Sequence, residues 1–183
     1  SSCGKQAGVW QGRVMKALLN IGLYQAIWFL CVLGGNKGAL VGLLLVGLHL
    51  MMSVKKQADL CMMALLALFG IVVDGALVQI GFFSFAEGGL PIPFWLLVIW
   101  LGLATTVHHS LAWMKTKQML ALFFGAIGGP AAYWGGVHLG AAQFHWGLVA
   151  SLGILAVLWA IIWPVILYLS GGVDRRVARC SRG

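Results

Sequence analysis

Apolar runs of about seventeen residues or more, almost free of charge, recur along the whole chain, and that recurrence leaves few folds open. Six are expected as spans: Ala17 to Leu33, Gly38 to Val54, Leu60 to Phe83, Pro93 to Met114, Gln118 to Ala141, and Trp146 to Ser170. Each is close to the length that crosses a hydrocarbon core about 30 Å thick. Lipid offers a backbone no hydrogen-bond partners, so such runs must be helices; the alternating pattern of a transmembrane barrel is missing. The expected fold class is therefore all-α, a polytopic membrane bundle of six transmembrane helices. Only 9% of the 183 residues are charged and 61% are hydrophobic, against roughly 25% charged in a soluble domain.

The positions of the charges set the expected threading. Lys5, Arg13 and Lys16 precede the first run, Lys55 and Lys56 follow the second, Lys115 and Lys117 the fourth, and Arg175, Arg176, Arg179 and Arg182 the sixth. Only Lys37 falls on the other side. Basic residues collect on the cytoplasmic face, so both termini are expected there. The net charge of +8 is thereby accounted for by topology and by attraction to anionic headgroups. Membrane lipids are the expected partners, together with a small amphipathic ligand; nucleic acid is not. Residues 15–170 are expected to form the membrane domain and residues 171–183 a basic cytoplasmic tail. Residues 1–14, which precede Met15 and lack an apolar core, are expected to be a non-native or disordered segment. Cys3, Cys31, Cys61 and Cys180 form no CxxC pair, which excludes a thiol-oxidising role.

The fifth run is rich in small residues. Gly125 with Gly129, and Gly136 with Gly140, make two GxxxG pairs that favour close helix packing, and Pro130 between them predicts a kink; this run is expected at the centre of the bundle. Pro164 predicts a milder kink in the sixth. Tryptophans at the span ends, Trp28, Trp95, Trp113, Trp146 and Trp163, read as interfacial anchors. No self-similarity between the halves stands out.

Polar residues inside the runs are the candidates for function. By helical rise, Asn20, His49 and His109 lie within roughly 6 to 9 Å of the inner boundary, and Asp74 and Tyr133 about 22 Å from it, with Gln79 near that depth. In "ATTVHHSLAW" successive residues point about 100° apart, so His108 and His109 cannot face the same way. Thr105 and His109 share one stripe, Thr106 and Ser110 another. Asn20, Gln25, His49, Asp74, Gln79, Thr105, His109, Ser110 and Tyr133 form the expected polar interior, with Gly125, Gly129, Pro130 and Gly136 as hinge or packing positions. No metal site is expected. No HExxH, GxSxG or Walker pattern occurs, so catalysis has no recognisable signature.

The stretches "LLNIGLYQAIWFLCVLG", "PFWLLVIWLGLATTVHHSLAWM" and "GAIGGPAAYWGGVHLGA" resemble a bacterial inner-membrane family of unknown function, domain of unknown function 2878. The resemblance runs from Met15 to about Leu169. Its most specific parts are H-S-L-x-W, matched by His109, Ser110, Leu111 and Trp113, and G-P-x-A-Y-x-x-G, matched by Gly129, Pro130, Ala132, Tyr133 and Gly136. Gln79 stands where the family pattern leads us to expect a glutamate. The resemblance implies a multi-pass protein of the bacterial inner membrane, with Met15 as the natural start, and implies no activity. The leading expectation is binding or moving a small amphipathic or lipid-like molecule in a kinked cavity lined by Gln25, Asp74, His109 and Tyr133. The alternatives are a membrane enzyme of lipid metabolism using His109 or Asp74 as acid or base, and a redox protein holding haem through His49 and His109.

Overall fold

A computed structural model describes residues 2–89 and 91–180, with side chains from Trp10 onward. The expectations for Ser1, the side chains of Cys3 and Lys5, and Arg182 lie outside the described residues. The chain is mostly helical, and four of its helices are long and apolar enough to cross a membrane.

Helix α1 (Ser2–Met52) breaks at Gly35, whose φ of 53° and ψ of −141° are closed to most side chains. There the chain doubles back. Gly38 packs against the Leu30 carbonyl oxygen, and Gly42 sits in van der Waals contact with Ile27 and Cys31. In one straight helix Gly42 and Ile27 would stand about 22 Å apart along the axis. The first two expected spans are thus two antiparallel arms of α1 with a glycine turn in place of a loop. The turn is fastened from outside: the Asn36 amide donates to Glu87, and Asn36 Oδ1 accepts from the Trp95 amide.

Helix α2 (Lys56–Gln79) stops short of Phe83, and α4 (Gln118–His138) stops short of Ala141. The same device ends both. Gly81 and Gly140 adopt left-handed φ values of 68° and 82°, and the next amides, Phe82 and Ala141, reach back to the carbonyls of Leu77 and Gly136. Each cap leads into a three-residue strand, β1 (Phe83–Phe85) or β2 (Ala142–Phe144), and the strands pair antiparallel with Ser84 opposite Gln143. No strand was expected, because three residues are too few to show a period.

Helix α3 (Phe94–Val107) is a correction to the fourth expected span, which was to run to Met114. It spans about 21 Å. Thr105 and Thr106 turn their hydroxyls back onto the carbonyls of Gly102 and Leu103, and the amides of His109 and Leu111 both donate to the Thr106 carbonyl. A turn follows, then a short 3₁₀ helix, Ala112–Thr116. Helix α5 (Leu148–Cys180) continues through residues 171–180, which were expected as a tail. Lys115 Nζ ties that extension back by a 2.9 Å bond to Asp174. Pro130 and Pro164 lie inside continuous helices.

The centre of the bundle is α3, not α4. From Gly102 to Val107 every residue of α3 is buried, against both arms of α1 on one side and α2 on another. Helix α4 packs chiefly on α5 and leaves Met119, Phe123, Ile127 and Trp134 exposed. Gly125 and Gly129 do act as a close-packing pair, lying against Trp159 and, for Gly125, Trp163. Gly136 and Gly140 do not: Gly136 faces open space and Gly140 caps the helix.

The units α2–β1–α3 and α4–β2–α5 repeat one plan, each residue of the second lying 59 positions after its counterpart, as Tyr133 does after Asp74. Gly70 receives the Trp100 ring as Gly129 receives that of Trp159, and Gly81 and Gly140 cap equivalently. Trp100 and Trp159 stack on each other, centroids 5.3 Å apart and planes within 17°.

Candidate functional site

Between the first arm of α1 with α3 and the pair α4 and α5 lies a cavity of about 480 Å³. Close packing of α4 on α5 draws α4 away from α1, and the small residues Gly128, Gly129, Ala132 and Gly136 leave the gap unfilled. Aromatic side chains make most of the wall, including Trp28, Trp95, Trp100, Trp159 and Trp163. Three residues read as outward-facing anchors therefore line the cavity, and Trp95 and Trp163 are 4% and 1% exposed. Trp113 and Trp146 are exposed as expected of anchors. Ile21, Gln25 and Phe124 line the cavity and are also exposed, so it opens sideways between α1 and α4. Trp28 bridges that opening against Gly135.

Behind the wall sits Asp74, fully buried on α2. Its Oδ2 accepts from Trp100 Nε1 at 2.7 Å and its Oδ1 from the Tyr133 hydroxyl at 2.5 Å. Asp74 does not itself line the cavity; Trp100 and Tyr133 stand between. The carboxylate, on α2, fixes one wall residue from α3 and one from α4, and so holds three helices in register. Gln79, expected at that depth, is exposed at the end of α2 and makes no side-chain hydrogen bond among the described residues.

At the other end of the bundle two polar clusters surround the broken end of α3. Asn20, on the first arm of α1, acts as a clasp: Nδ2 donates to the Thr105 carbonyl, and Oδ1 accepts from the Ser110 amide at 3.2 Å and hydroxyl at 2.6 Å. The two stripes expected on a continuous helix do not exist, since the helix ends between them. His109 turns to the second cluster. Its Nε2 lies 3.0 Å from Asp59 Oδ2, and the His49 ring meets it edge to face with centroids 4.7 Å apart. Ser53 donates to the same Asp59 oxygen. His109 is absent from the cavity wall.

His108 faces away, beyond the end of the apolar helix. Its Nδ1 accepts from Lys115 Nζ at 2.9 Å, and burial, followed by the neighbouring ammonium, lowers its pKa to about 4. It therefore stays neutral near pH 7.

Sequence reading missed Trp100, Trp159, Asp59 and Ser53. Asp59 follows Lys55 and Lys56 and reads as a residue of the membrane boundary; only the fold shows it fully buried. The tryptophans carry a signal in their equal placement within the two repeats, which are offset by 59 residues and do not coincide with the two three-span halves of the chain.

Long apolar helices wrapped around an aromatic chamber are the features of a helical membrane protein. The chain belongs to the family described as Protein of unknown function (DUF2878), whose profile matches residues 17–165. No curated protein and no solved structure matches it.

Proposed function

We propose that this is a multi-pass protein of the bacterial inner membrane that holds one lipid-like molecule in the aromatic cavity. The observation that carries the reading is the cavity itself, apolar, of ligand size and open sideways where lipid would lie. Binding pockets of about 300–1,000 Å³ with aromatic walls and few polar groups are typical of small-molecule sites. Tyr24 and Gln25 supply the polar groups here, and neither side chain makes a hydrogen bond among the described residues. The ligand they suit has an apolar body and one hydrogen-bonding group. Asp74, with both oxygens occupied and no cavity face, supports a positioning role better than an acid or base.

The threading that accompanies this reading is six crossings with both ends in the cytoplasm. Support comes from the reversal at Gly35 and from the gathering of Lys55, Lys115 and the Asp174 region at one end of the bundle, opposite Lys37 and the strands. Cys180, exposed at the end of α5, is then expected to react with a membrane-impermeant maleimide only after cells are opened. Labelling in intact cells, in a variant with the other cysteines replaced, would reverse the assignment.

Gly136→Phe tests the cavity. A Cβ there would meet nothing within 4 Å and Gly136 lines the cavity, so phenylalanine is expected to project into that space and not into a neighbouring helix. Purified in mild detergent and extracted for mass spectrometry, the parent chain is expected to carry about one lipid-like molecule. The variant should carry at least about tenfold less at an unchanged melting temperature. Equal occupancy in both, or none in the parent, removes the proposal.

A further inference from the structure

We infer that His49, Asp59 and His109 bind one divalent first-row transition-metal ion, for which zinc is the simplest case. The site shares no residue with the aromatic cavity and stands independently of it. Its ligands come from three elements: the second arm of α1, the first turn of α2 and the break after α3. One ligand atom from each lies within 4.8 Å of the others.

The spacing suits a metal. Asp59 Oδ2 is 3.0 Å from His109 Nε2 and 3.5 Å from His49 Nε2. Zinc bonds of about 2.0–2.1 Å at tetrahedral angles hold neighbouring ligand atoms about 3.3 Å apart, so both carboxylate–imidazole distances already fit within a few tenths of an ångström, and the two imidazole nitrogens, within 4.8 Å of each other, draw together on binding. Two orphaned atoms point the same way. His49 Nε2, on a residue 9% exposed, and Asp59 Oδ1, on a residue with no exposure, have no hydrogen-bond partner among the described residues. Buried polar atoms are rarely left so. A cation satisfies the imidazole nitrogen directly, and takes up Asp59 Oδ1 where the carboxylate binds through both oxygens.

The donor set narrows the ion. Two imidazoles and one carboxylate suit zinc, iron(II) or manganese, while calcium and magnesium take oxygen ligands. The His109 side chain is 23% exposed, which leaves a further coordination position towards water. Two competing readings fit less well. In a serine–histidine–aspartate relay, serine and aspartate use opposite ring nitrogens; here Ser53 Oγ, at 3.4 Å, and Asp59 Oδ2 share His109 Nε2. A haem held by two histidines needs them on opposite faces of the macrocycle, whereas these rings touch edge to face beside one carboxylate. Ser53, donating to Asp59 Oδ2, is a positioning residue for the ligand carboxylate.

The test uses the full chain, tag-free in detergent, stripped with chelator and dialysed against zinc. One equivalent per chain is expected, with an X-ray absorption spectrum at the zinc edge dominated by two imidazole nitrogens and oxygen. His49→Gln and His109→Gln should lose the equivalent, His108→Gln should keep it, and Ser53→Ala should weaken binding about 10- to 100-fold. The inference is overturned by a parent chain that binds less than about a tenth of an equivalent, by a spectrum with another ligand set, or by zinc retained in both histidine variants. If the variants do not fold, the stoichiometry and spectrum of the parent chain decide alone.

Discussion

Asp74→Leu is expected to destabilise the protein by about 2–6 kcal/mol, because two donors lose their acceptor at about 1–3 kcal/mol each. Leucine keeps the branched shape of aspartate at greater bulk, and leaves the Tyr133 hydroxyl and the Trp100 indole N–H without an acceptor. The indole cannot turn to water, since Asp74 is fully buried and Trp100 is 2% exposed. Asp74→Asn keeps an acceptor for Trp100, and its amide can donate to a rotated Tyr133 hydroxyl, so its cost should stay near 1 kcal/mol. Unfolding of both variants in mixed micelles, followed by tryptophan fluorescence, separates the two. If leucine and asparagine cost the same, hydrogen bonding at this position does not hold the helices in register.

The second large effect is expected at Gly125. A Cβ there would run into the Trp159 carbonyl oxygen and crowd Trp163 Cβ at 2.9 Å, and the first is backbone that cannot swing aside. Gly125→Leu must therefore push α4 off α5, and a loss above about 4 kcal/mol is expected, enough to stop the folded protein accumulating. At Gly128, about one turn away on the same helix, a Cβ would meet only Phe124 at 3.8 Å, and Gly128→Leu, beside the cavity, should accumulate normally. Gel filtration of the two variants after detergent extraction makes the comparison. Equal yields would mean that α4 and α5 do not pack through the Gly125 face.

The helices were legible because their signal is local: each apolar run of α1, α2, α4 and α5 declares itself within its own residues. Their ends were not. Gly81 and Gly140 end α2 and α4 through backbone geometry, while α3 ends where Thr105 and Thr106 bond back to their own helix and Asn20 bonds to residues 85 or 90 positions away. The split between His108 and His109 followed from helical rotation alone, although the helix that justified it stops at Val107. Pairing Asp74 with Tyr133 was legible as shared depth; their direct bond was not, because depth says nothing about which faces meet. The same limit hid the centre of the bundle. Small residues on α4 promised close approach, but they are close to α5 alone, and towards α1 the same scarcity of side chains produces a hole.

Along the line where the two repeats meet, each element touches its own equivalent: indole on indole, strand on strand, Ser84 across from Gln143. That is the self-complementary contact of an isologous homodimer, here drawn within one polypeptide. Two identical subunits joined this way would have to set acid against acid or phenol against phenol. Covalent fusion lifts that constraint, and Asp74 opposite Tyr133 is an acceptor–donor match that no symmetric pair of identical chains could make at its axis.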